Sequence, residues 1–257
     1  MTDSIDLWCQ HMAAGNLTPE TIKLRRAHLV RALRDLSTPI GQLTVEQVTA
    51  WVAGHDWAPA TRRSYRASLV QFFRFVGRDD IAEHLPRARV PRSLPRPAVD
   101  RDVLDALRSV EPRVQLMIEL MAFGGLRRGE VCKIKAGDLN GEWLTVTGKG
   151  GHTRLVPLPG HLCAKIRGYR GWLFPGAIDG HLSPRRVGEL VSAALPDGVT
   201  AHKLRHRFAT TVYQQTHDIR AVQSLLGHAK LDTTMIYVHV SDEDQRTAAS
   251  RAWSLVA

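Results

Sequence analysis

The sequence predicts a mainly α-helical protein with one small β-sheet, an α+β chain in two parts. Three observations lead there. Helix-start signals followed by apolar residues at helical spacing fill the first third of the chain. A single strand–turn–strand pattern stands alone in the second part. Between the two lies a proline- and arginine-rich stretch in which neither periodicity continues.

In the first part, Thr18-Pro19 reads as an N-cap followed by proline at the first helical position, with Ile22, Leu29, Leu33 and Leu36 forming an apolar stripe behind it. Thr44 and Gln47 have the spacing of a capping box, in which side chain and backbone bond reciprocally. Pro59 opens a third helix that turns Leu69, Phe72, Phe73 and Val76 inward and stops at Gly77. Its first turns carry Arg62, Arg63 and Arg66. Cations at a helix N-terminus oppose the macrodipole, so local stability does not account for them. A solvated basic face would account for them, but insertion into a DNA groove is the preferred reading.

The break runs from His84 to Ala98, where Pro86, Pro91, Pro95 and Pro97 alternate with Arg87, Arg89, Arg92 and Arg96. Prolines stop helices and stiffen a linker, and the arginines would let it lie along phosphates. The expected division is a helical domain over 1–84, a linker over 85–97 and a mixed domain over 98–257. In the mixed domain, helices are expected over Asp102–Val110, Arg113–Phe123 and Arg128–Ile134. Two strands, Trp143–Thr147 and Thr153–Val156, flank Gly148-Lys149-Gly150-Gly151, a hairpin signal. Further helices are expected from Ser183-Pro184, over His202–Tyr213 and over Ile219–Leu226.

Composition narrows the function classes. There are 35 Lys and Arg against 25 Asp and Glu, a formal charge of +10, with the excess shared by both parts. Such a balance favours a polyanionic partner, because counterion release from phosphates drives non-specific DNA affinity. The three cysteines, Cys9, Cys132 and Cys163, form no CxxC pair, which predicts neither a disulfide framework nor a thiolate zinc site. Asp3 and Asp6 stand where a signal peptide would be basic, and the most apolar run, Val114 to Leu126, is broken by Glu119. A cytoplasmic protein with no membrane partner is expected.

Four segments hold candidate chemistry. Gly124-Gly125-Leu126-Arg127 sets an arginine after a flexible turn and before a helix, where its fork can grip phosphate oxygens. Lys149 stands at the hairpin tip, and Arg154 is a second cation on the same hairpin. In His202-Lys203-Leu204-Arg205-His206, His202 and Arg205 share a helix face while Leu204 turns to the core. His202 and His206 also have the spacing of a helical zinc pair, but Lys203 replaces the glutamate that such a motif needs, and no metal is expected. Leu226-Gly227-His228 ends a helix at glycine, and Tyr237 follows in an apolar stretch. Taken alone, each residue has a plain structural reading; Tyr237 in particular would be a core side chain.

Taken together, GGLRRGE at 124–130, the GKGG hairpin, HKLRH at 202–206, LGH at 226–228 and Tyr237 occur in the order and approximate spacing of the tyrosine recombinase (phage integrase) family, which the chain resembles over essentially all of 98–257. The helical basic part is similar to that family's core-binding domain, and the chain is similar to compact members without an arm-binding domain. Gly124 and Gly129 stand where the family often has threonine and serine.

The resemblance implies a site-specific recombinase in which Tyr237 attacks the scissile phosphate and forms a 3′-phosphotyrosyl link. Arg127 and Arg205 would stabilise the non-bridging oxygens, and His202 would assist proton removal from Tyr237. His228 would hydrogen-bond the phosphate, and Lys149 would protonate the departing 5′ oxygen. It implies no cofactor, and as partners duplex DNA with inverted core-type sites, a homotetramer on synapsed DNA and an accessory directionality factor. Residues 241–257, with Trp253, Leu255 and Val256 in an apolar segment, would dock on a neighbouring subunit. Glu130 and Asp138 match structural rather than catalytic positions. The rival readings are a type IB topoisomerase, a non-catalytic DNA-binding regulator and, less fitting for want of a carboxylate cluster, a metal-dependent nuclease.

Overall fold

The structure, a computed structural model of the 257-residue chain, describes residues 2–89, 97–148 and 151–227. The chain divides into two compact units, Met1–Ser93 and Leu94–Ala257.

The first unit is built from five helices: α1 (Thr2–Ala14), α2 (Pro19–Leu36), α3 (Val45–Ala53), α4 (Pro59–Phe75) and α5 (Asp79–His84). The Thr44–Gln47 capping box starts α3 as predicted, with both reciprocal bonds present. Thr18 stands at the N-cap of α2, but its hydroxyl bonds the Thr21 hydroxyl at 3.0 Å instead of a backbone N–H. Helix α4 ends short of Gly77, whose φ of +74° turns the chain so that the Arg78 N–H bonds the Phe73 carbonyl at 2.7 Å. Helices α1 and α5 lie outside the sequence expectations. The core unites Trp8, Leu29, Leu33, Leu69, Phe72, Phe73 and Ile81, all buried, and Trp8 meets the Phe72 ring edge-on. Burying such side chains contributes roughly 1.5–3 kcal/mol each before conformational entropy is counted.

The second unit opens with α6 (Asp100–Ser109), α7 (Pro112–Ala122) and α8 (Arg128–Val131). Helix α7 is buried on nearly every side, from Leu116 to Ala122, and is the spine of this core. Its one buried carboxylate, Glu119, is met by Lys165 Nζ at 2.7 Å. A three-stranded antiparallel sheet follows in the order β1 (Leu139–Asn140), β2 (Trp143–Thr147), β3 (Thr153–Pro157). The predicted hairpin is thus two-thirds of the sheet, with Val146 opposite Arg154 and Leu144 opposite Val156. Helix α9 (Gly160–Arg167), strand β4 (Pro175–Ile178) and α10 (Pro184–Ala193) lead to α11 (Ala201–Thr216) and α12 (Ile219–Leu226). The expected helix over Arg128–Ile134 is shorter, ending at Val131, because the chain must turn to place Ile134 and β1 against the sheet core. No described helix is long and apolar enough to cross a membrane.

Candidate active site

Three segments distant in sequence converge in the second unit. The Gly124-Gly125 turn lets the chain leave α7 and enter α8. Gly125 has a φ of +66°, and a β-carbon there would collide with the ring of Phe208 on α11. That close approach brings the Gly125 carbonyl onto Arg205, whose Nη1 donates to it. The Nη2 group of Arg205 donates to the Leu226 carbonyl at 2.6 Å, at the end of α12. Arg127, at the entrance of α8, reaches the same carbonyl through Nη1 at 3.5 Å. The two predicted phosphate-binding arginines therefore meet at one point, the C-terminus of α12. Their burial differs sharply: the Arg205 side chain is 2% exposed and that of Arg127 is 44% exposed.

Glu130 organises this charge. It is buried, and its carboxylate accepts from the Arg127 N–H at 2.9 Å, from Arg127 Nη1 at 2.8 Å and from both Nη groups of Arg154, at 3.0 and 2.7 Å. Arg205 Nη1 lies 3.6 Å from it. Burial on its own would raise the Glu130 carboxyl. The hydrogen bonds from Arg154 and the Arg127 N–H, with the charges of Arg154 and Arg205, outweigh it and hold the group below the ordinary range. Three guanidiniums against one carboxylate leave an excess of positive charge, suited to a phosphodiester.

His202 and Arg205 lie one turn apart on α11, as predicted, and His202 is exposed. Partial desolvation and the positive charges of Arg205 and Arg127 lower its pKa, which favours the neutral ring, the form able to accept a proton. Its neighbour His206 is buried, 4.2 Å away ring to ring, and is pushed down to about 4 by burial and by the charges of His202 and Arg205. Among the described residues no group of three or more His, Cys, Asp or Glu side chains could hold a metal ion.

Of the six predicted catalytic residues, the structure brings Arg127, His202 and Arg205 together. Lys149, His228 and Tyr237 lie outside the described residues, as does Arg92. The residue that sequence reasoning passed over is Arg154, seen there only as a second cation on the hairpin. The signal was present: alternation along β3 puts Arg154 on the same face as the buried Val156, where an arginine requires a carboxylate.

In the first unit, Arg63, Arg87 and Arg89 are exposed. Arg62 donates to the His55 carbonyl at 2.8 Å, and Arg66 grips the Leu85 carbonyl with Nε and Nη2 at 3.0 and 2.9 Å. Arg62, Arg66, Arg87 and Arg89 line one cavity of about 440 Å³ together with Trp57 and Leu69.

The chain matches the phage integrase family over residues 99–244. It is 38% identical over 208 residues to the tyrosine recombinase XerA of Thermococcus kodakarensis, covering 72% of each chain. To the tyrosine recombinase XerD of Caulobacter vibrioides it is 34% identical over 254 residues, covering 85% of this chain and 83% of the other. Among solved structures, a lambda integrase tetramer bound to a Holliday junction aligns with a TM-score of 0.71 at 18% identity, covering 89% of this chain and 77% of that one.

Proposed function

The chain belongs to the phage integrase family and is a tyrosine-type site-specific DNA recombinase, and from that premise we propose that it cuts and rejoins strands through Tyr237. The hydroxyl of Tyr237 attacks the scissile phosphorus; the new O–P bond forms as the bond to the 5′ oxygen breaks, giving a 3′-phosphotyrosyl link and a 5′-hydroxyl. Reversal with a second 5′-hydroxyl rejoins the strand, so the bond energy is conserved and neither nucleotide nor metal is needed.

The observation supporting this reading most directly is the meeting of Arg127 and Arg205 at the Leu226 carbonyl, immediately before Gly227-His228 in the chain. Two fixed guanidiniums there neutralise charge on the non-bridging oxygens as the phosphorus becomes five-coordinate. A phenol is protonated at neutral pH, and His202, neutral beside those arginines, takes the proton. His228 hydrogen-bonds the phosphate and Lys149 protonates the departing 5′ oxygen. The relatives are recombinases, which does not favour a relaxing topoisomerase or a passive regulator.

DNA is the partner, and the protein works as an assembly. The proposed form is a homotetramer on two synapsed duplexes with inverted core-type sites, joined by docking of residues 241–257 on a neighbour and subject to an accessory directionality factor. The helical unit with Arg62, Arg63 and Arg66, and the segment bearing Arg87, Arg89 and Arg92, are proposed to hold the core DNA, and the second unit to catalyse. The site of action is the cytoplasm.

A nicked suicide duplex incubated with the chain in EDTA tests the mechanism. The expected result is a covalent protein–DNA adduct that Tyr237→Phe abolishes while duplex binding persists. Adduct formation by the phenylalanine variant, or strict dependence on Mg²⁺, overturns it.

A further inference from the structure

We infer that Arg154 is a positioning residue for strand cleavage: its two-point contact with Glu130 supplies counter-charge that would otherwise be drawn from Arg127 and Arg205 alone, and by bracing the end of α12 it sets the point from which the chain continues to His228. The inference rests on the recombinase reading above and names a residue that reading did not use.

Arg154 is turned inward. Its side chain is 10% exposed. Its Nη1 and Nη2 groups take the two oxygens of Glu130, and its Nε donates to the Leu225 carbonyl at 2.8 Å. A β-carbon on Gly227 would come 2.9 Å from Arg154 Cδ, so the stem of the arginine lies flat beneath the left-handed glycine that closes α12. One side chain on β3 thus touches α8 and both the last turn and the closing glycine of α12. A guanidinium spent on these partners is not placed to contact DNA.

The electrostatic consequence follows from geometry. Glu130 is a buried carboxylate with three guanidiniums near it, and Arg154 alone presents a planar two-point fork matched to both oxygens. Remove that fork, and the whole charge of the carboxylate falls on Arg127, already bonded to it at 2.8 Å, and on Arg205 at 3.6 Å. Both then present less effective charge to a phosphate. Lysine cannot substitute, because one ammonium group cannot span Glu130 and the Leu225 carbonyl together.

The test compares Arg154→Met and Arg154→Lys with wild type on two nicked suicide duplexes of one sequence, recovered from covalent adducts of the wild-type chain on a random duplex library. One duplex has the natural scissile phosphate; the other has a neutral methylphosphonate there, which has less need of charge neutralisation. On phosphate, cleavage by Arg154→Met falls about 10- to 100-fold, taking as the guide the loss when partners that orient metal-ligating side chains are removed, while duplex affinity holds. On methylphosphonate the deficit relative to wild type shrinks, and Arg154→Lys shows the same pattern in milder form. Adding Glu130→Gln to Arg154→Met restores part of the phosphate rate, because the stranded negative charge is gone. Thermal melting identifies a variant that does not fold, and the lysine variant then decides. Equal losses on both substrates, or wild-type cleavage by the variants, overturn the inference and leave the recombinase mechanism standing. Failure of the wild-type chain to form any adduct through Tyr237 overturns both.

Discussion

The ring of Phe208 occupies the space where a β-carbon on Gly125 would stand. Gly125 also sits at φ +66°, a conformation that costs an L side chain roughly 1–2 kcal/mol. Gly125→Ala is therefore expected to cost about 3 kcal/mol or more once overpacking is added. Much of that loss should return when Phe208→Ala is combined with it. Urea unfolding of the single and double variants measures this, and additive losses would show that the ring and the glycine are not in competition.

Glu130→Ala should be more damaging than an ordinary surface change, because it removes the buried carboxylate that Arg154 forks and that Arg127 and Arg205 face. The expected loss is about 3–5 kcal/mol, the range for breaking a buried ion pair from one side. Glu130→Gln, which keeps the shape and one acceptor oxygen, should cost less. Denaturant midpoints for the pair of variants check the order.

Acid should weaken the second unit through α11. His206 titrates near 4 when folded, against an ordinary 6.5, so below about pH 6.5 the unfolded chain binds a proton that the folded one does not. Stability consequently falls as pH drops from about 6.5 toward 4, by an amount on the order of 3 kcal/mol at the lower end. His202 acts in the same direction. Glu130, lowered when folded, gives up its contribution only as pH falls through that lowered value. Hydrogen exchange along α11 at several pH values reads the trend, and His206→Asn should flatten it; an unchanged slope in that variant would remove His206 as the cause.

The arginines of α4 should separate into two kinds. Arg63 is exposed and has no partner among the described residues, so Arg63→Ala should leave melting unchanged. It should lower DNA affinity and reduce the salt-dependence slope by about 0.9 for each phosphate that is no longer neutralised. Arg66 holds the Leu85 carbonyl at two points, and Arg66→Ala should cost about 1.5–3 kcal/mol in the first unit. Gel shifts over a salt series, paired with melting curves, distinguish them.

Features determined by neighbours in sequence were legible beforehand. The Thr44–Gln47 box and the span of α12 depend on residues within one turn, and both occur as expected. The Ser183 cap is equally local, its hydroxyl accepting from the Arg186 N–H. Helix α1 has buried Ile5, Trp8 and Met12 at helical spacing behind Thr2, Asp3 and Ser4, an equally local pattern that the sequence reading passed over. The site divides in the same way. Sequence order gathered Arg127, His202 and Arg205, yet the burial of Arg205 depends on carbonyls at Gly125 and Leu226, which no local pattern announces. The partnership of Arg154 with Glu130 likewise needed the sheet to be seen against α8.

Arg205 ties two distant backbone carbonyls to one helix, and this has a bearing on hybrid enzymes. A chimera that takes α11 from one relative and the Gly125 turn or the end of α12 from another inherits a guanidinium cut for different anchors. These stretches, with Glu130 and Arg154, form one inheritable block. Crossovers meant to retarget DNA preference should spare it and fall in the first unit, where exposed arginines such as Arg63 can be exchanged one at a time.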